Sequence, residues 1–275
     1  MKRRDWLLWI GVAYLVALLL FAIFGPQFRH NYFDPVAPKL QKSTAEAWLG
    51  TDQLGRDLFA RLAYGARISL YIGLVVQFFS LAVGIVVGVL GIYAPRWIAS
   101  PLMRLTDAMF AFPDILLAIL IIGLFGRGTT PVIVALAITA WPAIARLVRT
   151  QLATLKDREF VVASRAMGSS TFYTVTKHVL PQLWGLLLAV VMIELAATIL
   201  AESTLSYLGI GVQEPTPSWG SMINTARGYM QPGPHYTGSG EMMYLFWPCL
   251  ILALTIFALN FVGDGLRRLT DPKSG

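Results

Sequence analysis

The chain has a single cysteine, Cys249, set in an apolar stretch. That excludes an intrachain disulfide framework and a CxxC metal site, and three widely separated histidines offer no ligand cluster in their place. No Gly-Lys pair occurs, so a phosphate-cradling G-x-x-x-x-G-K-[ST] loop is absent and any ATP-driven work has to be powered from another chain. HExxH and GxSxG are missing as well. Charge is scarce: Asp, Glu, Lys and Arg make up 13% of the 275 residues, against 56% hydrophobic ones. A mean hydropathy of +0.63 exceeds what a soluble core needs, and the class is an integral membrane protein with several spans. The net charge of +7 then reads as Lys and Arg retained in cytoplasmic loops, with no nucleic-acid partner implied.

What is present is a series of long apolar runs. Residues 6–28 are uncharged, 23 in number, which suffices for one crossing at about 20 residues per span. The run is longer than the apolar part of a signal peptide and no clear A-x-A site follows, so it reads as a retained anchor. Further spans are expected at 68–95, 105–125, 131–145 with its flanks, 183–208 and 243–263, six in all. Gly84-x-x-x-Gly88 in the second lets a neighbouring helix approach closely. In the segment 29–67, Asp52 is expected to cap a short helix from about 53 to 65, and Asp57 to pair with Arg61 at i,i+4. Trp219 and Trp247 are candidate interface anchors.

With 29–67 and 212–242 outside, segments placed inside hold 14 of the 22 Lys and Arg, against 8 outside. That bias puts both termini in the cytoplasm. The chain divides into an anchor with an extracytoplasmic segment, 1–68, and a five-helix core, 69–275, which holds an inside loop at about 150–181.

Three carboxyl residues lie within apolar sequence, Asp114, Glu194 and Glu202. Such residues are costly against lipid and are expected at helix interfaces or along a water-filled path. On one helix, Glu194 and Glu202 would stand about 80° apart in rotation and about 12 Å in rise, too far for a retaining carboxylate pair. No catalytic, cofactor-binding or metal-binding residue is assigned. An ion- or proton-coupled secondary transporter built on Glu194 and Glu202 remains the alternative from another class, although no inverted repeat is evident.

The polar island at 159–181, EFVVASRAMGSSTFYTVTKHVLP, interrupts this pattern. Helical spacing puts Phe160, Ala163, Ser164 and Met167 on one face, and Phe172, Val175 and Val179 on one face after a break. Two short amphipathic helices are expected to hinge at Gly168, where glycine tolerates positive φ, with Ser169 or Ser170 capping the second and Pro181 turning the chain back toward the bilayer. An ordinary solvated loop is the bland alternative.

Val162-Ala163-Ser164, three residues, Gly168, nine residues, then His178-Val179-Leu180-Pro181 resembles the EAA loop by which permease subunits of bacterial ABC importers contact their ATPases. Val162 stands where that family usually has the eponymous Glu. The stretches LGTDQLGRD (49–57), YGARISL (64–70), Ala201-Glu202-Ser203-x-Leu205-Ser206-Tyr207-Leu208-Gly209, PSWG (217–220) and Asn260-x-x-Gly263-Asp264-Gly265-Leu266-Arg267 resemble the second permease subunit of oligopeptide, dipeptide and nickel importers. The stretch from Gln231 to Met242 looks longer and more polar than in that family.

The resemblance implies an all-α, six-helix type I ABC importer transmembrane fold in the bacterial inner membrane. It implies a homologous permease, two cytoplasmic ATPases carrying ATP and Mg, and an extracytoplasmic solute-binding protein as partners. Peptides are the first expected cargo and nickel the next. Contact with the ATPases would fall to Glu159, Ala163, Ser164, Gly168, Ser170, Leu180 and Pro181.

Overall fold

A computed structural model describes residues 5–28, 30–230 and 240–270. It holds ten α-helices among these residues: α1 (Asp5–Phe24), α2 (Leu58–Tyr93), α3 (Arg96–Met109), α4 (Asp114–Phe125), α5 (Thr129–Leu155), α6 (Glu159–Ala166), α7 (Thr171–Thr174), α8 (Leu180–Tyr207), α9 (Trp219–Arg227) and α10 (Gly240–Thr270). Five helical runs are long and apolar enough to cross a membrane, and α3 with α4 makes a sixth if that bent pair counts as one span. The fold is therefore all-α, with isolated bridges as the only β pairing among the described residues.

The third span differs from a continuous helix over 105–125. α3 and α4 meet at 96°, broken at residues 110–113. Pro113 supplies the reason: it restricts Phe112 to extended backbone and cannot donate to a preceding turn. α4 is apolar after Asp114, whereas α3 carries Arg96, Arg104 and Asp107 and has Pro101 inside it.

The second span also begins earlier than expected. Asp57, not Asp52, is the N-cap: its carboxylate accepts from the Phe59 N–H, and one helix runs unbroken from Leu58 to Tyr93. Asp52 is instead the hub of the segment before it, accepting from the backbone N–H of Leu54 at 2.8 Å and of Arg56 at 2.9 Å. Arg61 pairs with Asp52 at 3.3 Å and with Glu214 at 2.7 Å, and Asp57 is occupied by its cap and by His30 at 3.7 Å. With the Asp57 carboxylate committed to the cap, Arg61 reaches Asp52 and Glu214 instead of its i−4 neighbour.

α2 and α5 form the tightest pair in the bundle. A Cβ added at Gly84 would come within 2.7 Å of Ile144, and one at Gly88 within 2.7 Å of Val148, so only glycine admits this approach. α1 packs on α10, where the Tyr14 hydroxyl donates to the Ile251 carbonyl at 3.1 Å. Its last turn is closed by Arg67, whose guanidinium donates to the carbonyls of Ala22 (2.5 Å) and Ile23 (2.6 Å) that α1 leaves unmet.

Residues 209–230 are more ordered than a polar loop. α9 has a capping box at Ser218 and Ser221, and its Trp219 is 0% exposed, donating to the Leu62 carbonyl at 3.4 Å. Trp219 is thus a core residue and not an interface anchor. Most of the long 231–242 stretch singled out in the sequence lies outside the described residues.

Candidate functional site

The polar island folds as a hairpin beside the end of α5, the start of α8 and the last turn of α10. The turn after α6 falls at Gly168, whose φ of +84° is the left-handed conformation expected of the hinge. Ser170 caps α7, its Oγ accepting from the Tyr173 N–H at 3.2 Å. The two arms are pinned by a buried contact of 3.1 Å between the hydroxyls of Ser164 and Thr174. Arg165 lies over the Tyr93 ring at 5.4 Å, fastening the hairpin to the end of α2.

The buried stripe is not the one the helical spacing suggested. Val161 and Ser164 point inward with Phe160 half-buried, while Ala163 is exposed and Met167, just past the helix end, is 80% exposed. α6 is only eight residues long and packs on its 161/164 edge, against Leu152, Val179 and Leu183. After the hinge Phe172 is 79% exposed, and Val175 and Val179 are buried. The hairpin thus presents Val162, Met167, Phe172 and Tyr173 outward, an apolar set on an otherwise polar element.

The second arm does not stop at Pro181. α7 passes through a π-turn, Val175–Val179, straight into α8, with the Leu180 N–H donating five residues back to Val175. Pro181 lacks the N–H an α-helix would use there and sits in the first turn of α8, where that loss costs least. Leu180 is half-buried; Pro181 and Glu159 are exposed. A cleft of about 1010 Å³ opens beside the hairpin, lined by Asp157, Arg158, Glu159, Gln182 and Arg267 among others.

Deeper in the bundle the structure brings two of the three carboxyl residues together and sets the third apart. Asp114, at the start of α4, and Glu194, on α8, line one cavity of about 110 Å³ with Thr139 and Thr198. The break between α3 and α4 forms its mouth, and Arg146 clasps that elbow, 3.2 Å from Asp107 and stacked on the Phe110 ring at 3.6 Å. Glu202 is 0% exposed and outside the cavity, caged by the hydroxyls of Ser206 (2.8 Å), Ser69 (3.2 Å) and Ser203 (3.4 Å). It joins α8 to α2 inside the bundle. Glu194 and Glu202 therefore share no site, which removes the carboxylate pair on which a secondary-transport reading rested.

Sequence reasoning missed the ion-pair cluster at the opposite end, where Asp52, Arg56, Arg61 and Glu214 link residues 52–61 to the segment after α8. The i,i+4 spacing of Asp52 and Arg56 was the available signal. Among the described residues no group of His, Cys, Asp and Glu is arranged to hold a metal ion.

Residues 80–274 match the family of binding-protein-dependent transport system inner membrane components, and the chain belongs to that family. It is thus an inner-membrane permease component of a binding-protein-dependent transport system. Along 98% of its length it is 36% identical to the dipeptide transport system permease protein DppC of Bacillus subtilis (strain 168), covering 83% of that protein. It is 37% identical, again over 98%, to the glutathione transport system permease protein GsiD of Escherichia coli O157:H7, covering 88% of it. The fold is similar to a chain of the MetNI methionine ABC transporter in an inward-facing conformation, with a TM-score of 0.62 at 23% identity over 76% of this chain and 96% of that one.

Proposed function

We propose that this chain pairs with a homologous permease to enclose a path for short peptides. Two cytoplasmic ATPases holding ATP and Mg²⁺ would drive it, and an extracytoplasmic binding protein would deliver the cargo. The observation that carries the proposal is the hairpin: a rigid, internally pinned element that turns an apolar face outward and continues directly into α5 and α8. An ordinary solvated loop has no reason to expose Met167 and Phe172. In this reading both termini and the hairpin are cytoplasmic, and residues 30–57 and 209–230 face the other side. Peptide cargo is supported by the relatives named for dipeptide and glutathione transport.

Within the hairpin the roles divide. Gly168 and Ser170 set the turn, Ser164 holds the arms together from inside, and Ala163 with the exposed apolar residues meets the ATPase. Glu159 borders that contact, and Leu180 and Pro181 carry the motion into α8. Asp114 and Glu194 line the path. Glu202 fixes the packing of its wall.

Single cysteines in a Cys249→Ala background test this. In the assembled transporter, cysteines at Met167 and Ser170 are expected to crosslink to an ATPase subunit, whereas one at the buried Ser164 is not. Coupled uptake with no crosslink at Met167 or Ser170 would remove the hairpin from the ATPase contact.

A further inference from the structure

The side chains of the cavity between α4, α5 and α8 accept hydrogen bonds and, while its carboxyls are ionised, none donates. Thr139 and Thr198 line it, but each hydroxyl spends its proton on a carbonyl of its own helix, that of Leu136 at 3.1 Å and that of Glu194 at 2.8 Å. Both therefore act as acceptors toward anything else. Neither the Asp114 nor the Glu194 carboxyl has a hydrogen-bond or ion-pair partner among the described residues, whereas ionisable groups within a membrane bundle ordinarily pair.

A third unmet acceptor stands behind this wall. Gln77 on α2 is 3% exposed and donates its amide N–H to the Thr198 hydroxyl at 2.8 Å, while its carbonyl oxygen is buried without a donor among the described residues. The covalent geometry of an amide keeps that oxygen within about 5.4 Å of the same hydroxyl. Buried acceptors normally find donors, and what this set lacks is a positive group carrying several.

We propose that the cavity receives the α-ammonium group of the peptide cargo, with Asp114 and Glu194 as its counter-charges; the inference rests on the reading of this cavity as part of a peptide path. An ammonium group carries three donors and one positive charge, which matches two carboxyls and a hydroxyl acceptor. The volume of about 110 Å³ admits such a group and the first atoms behind it. A bound metal ion is a poorer match, since no group of three or more His, Cys, Asp and Glu is arranged to hold one among the described residues. At the mouth the sign of charge reverses, with the half-exposed guanidinium of Arg146 lying over the Phe110 ring. A zwitterionic peptide entering amine first would leave its carboxylate on the Arg146 side, and a bare cation would gain nothing there.

The test uses the assembled transporter without binding protein, so that selection by the latter plays no part, and two probes: alanyl-photoleucine, a dipeptide with a diazirine side chain, and its N-acetyl form. Label mapped by mass spectrometry is expected on residues 136–143 and 194–201 with the free amine, and about tenfold weaker with the acetylated probe, the weight of a charge-assisted hydrogen bond. Glu194→Gln and Asp114→Asn keep side-chain size, and co-purification of the ATPases reports their assembly. Each should lower labelling by the free amine about tenfold and leave that by the acetylated probe unchanged. Thr139→Val, which removes an acceptor and no charge, should lower it about fivefold. Equal labelling by the two probes, or unchanged labelling in both acid variants, would overturn the proposal. Binding-protein-dependent uptake of alanyl-alanine into proteoliposomes is measured alongside. Uptake with an unlabelled cavity would overturn this inference alone, whereas no dipeptide uptake by the intact transporter would remove the peptide reading and this inference with it.

Discussion

Replacing Gly168 separates two reasons for a glycine at the hairpin turn. Its φ is +84°, and a Cβ built there meets no atom within 4 Å, so the chain itself imposes a conformational demand and no steric one. Alanine should cost about 1 kcal/mol, roughly a fivefold shift in the population of the native turn. A β-branched valine should cost up to about 3 kcal/mol, and asparagine, which visits the left-handed region readily, much less. If backbone strain alone matters, uptake per ATP hydrolysed falls in the order asparagine, alanine, valine. If an ATPase surface packs on the turn, asparagine, bulkier than alanine, is the worse of those two. Binding-protein-stimulated ATP hydrolysis and peptide uptake, measured together in proteoliposomes, read the ratio directly. Full coupling in all three variants would refute both arguments and leave the turn as a passive loop.

Glu202→Ala should lower the thermal unfolding midpoint of the purified complex far more than Glu202→Gln, because alanine strands the hydroxyls of Ser69, Ser203 and Ser206 in a bundle interior, at about 1–3 kcal/mol for each buried polar group left unmet. Equal loss in both variants would mean that the charge itself is needed. Glu214→Gln should loosen the segment at 209–218 from the buried Arg56 and Arg61, costing about 2 kcal/mol as charge-assisted bonds are lost; unchanged hydrogen exchange in residues 209–218 would count against the clamp. Spin labels at Thr176 and Ala197 should keep their separation through the ATP cycle while the separation between Leu116 and Ala197 changes, and the reverse result would exclude α8 as a rigid element.

Much of this was readable from residues. The Gly168 hinge and the Ser170 cap follow from local chemistry, since glycine takes that φ at no steric cost and a serine before an amphipathic turn satisfies its first N–H groups. The spans at both ends of the chain followed from apolar length. What local chemistry could not supply was orientation around an axis and partner choice over distance. Arg61 has a carboxylate four residues earlier, but its partners lie at 52 and 214, set by where α2 begins and how the segment after α8 folds back. The elbow at 110–113 was marked by Pro113, yet apolar content from 105 to 125 read as one span because hydropathy does not register a bend. Trp219 looked like an interface anchor because it sits in a polar stretch; its burial depends on α9 docking over Leu62.

The geometry also decides which wall of the central cavity the hairpin can move. α5 and α8 each contribute side chains to the cavity, Thr139 and Pro142 from one, Glu194 and Thr198 from the other. Both run without a long linker into the hairpin: α5 through residues 156–158, α8 through the π-turn that makes Thr171–Tyr207 one run of 37 residues. The third wall, Asp114 and Ile115 of α4, is tied to the hairpin by no such continuous helix. From Thr174 to Glu194 the helical run is about 30 Å long, so a tilt of about 5° about the hairpin would displace Glu194 by about 2.6 Å. A displacement of that size alters a cavity of about 110 Å³ only if the opposite wall stays behind. The break between α3 and α4 provides that independence, with the Arg146 clasp on Asp107 and Phe110 exposed to solvent and so held weakly. A continuous third span would join all walls to one end of the bundle, and motion of the hairpin would then carry the cavity along without changing its shape.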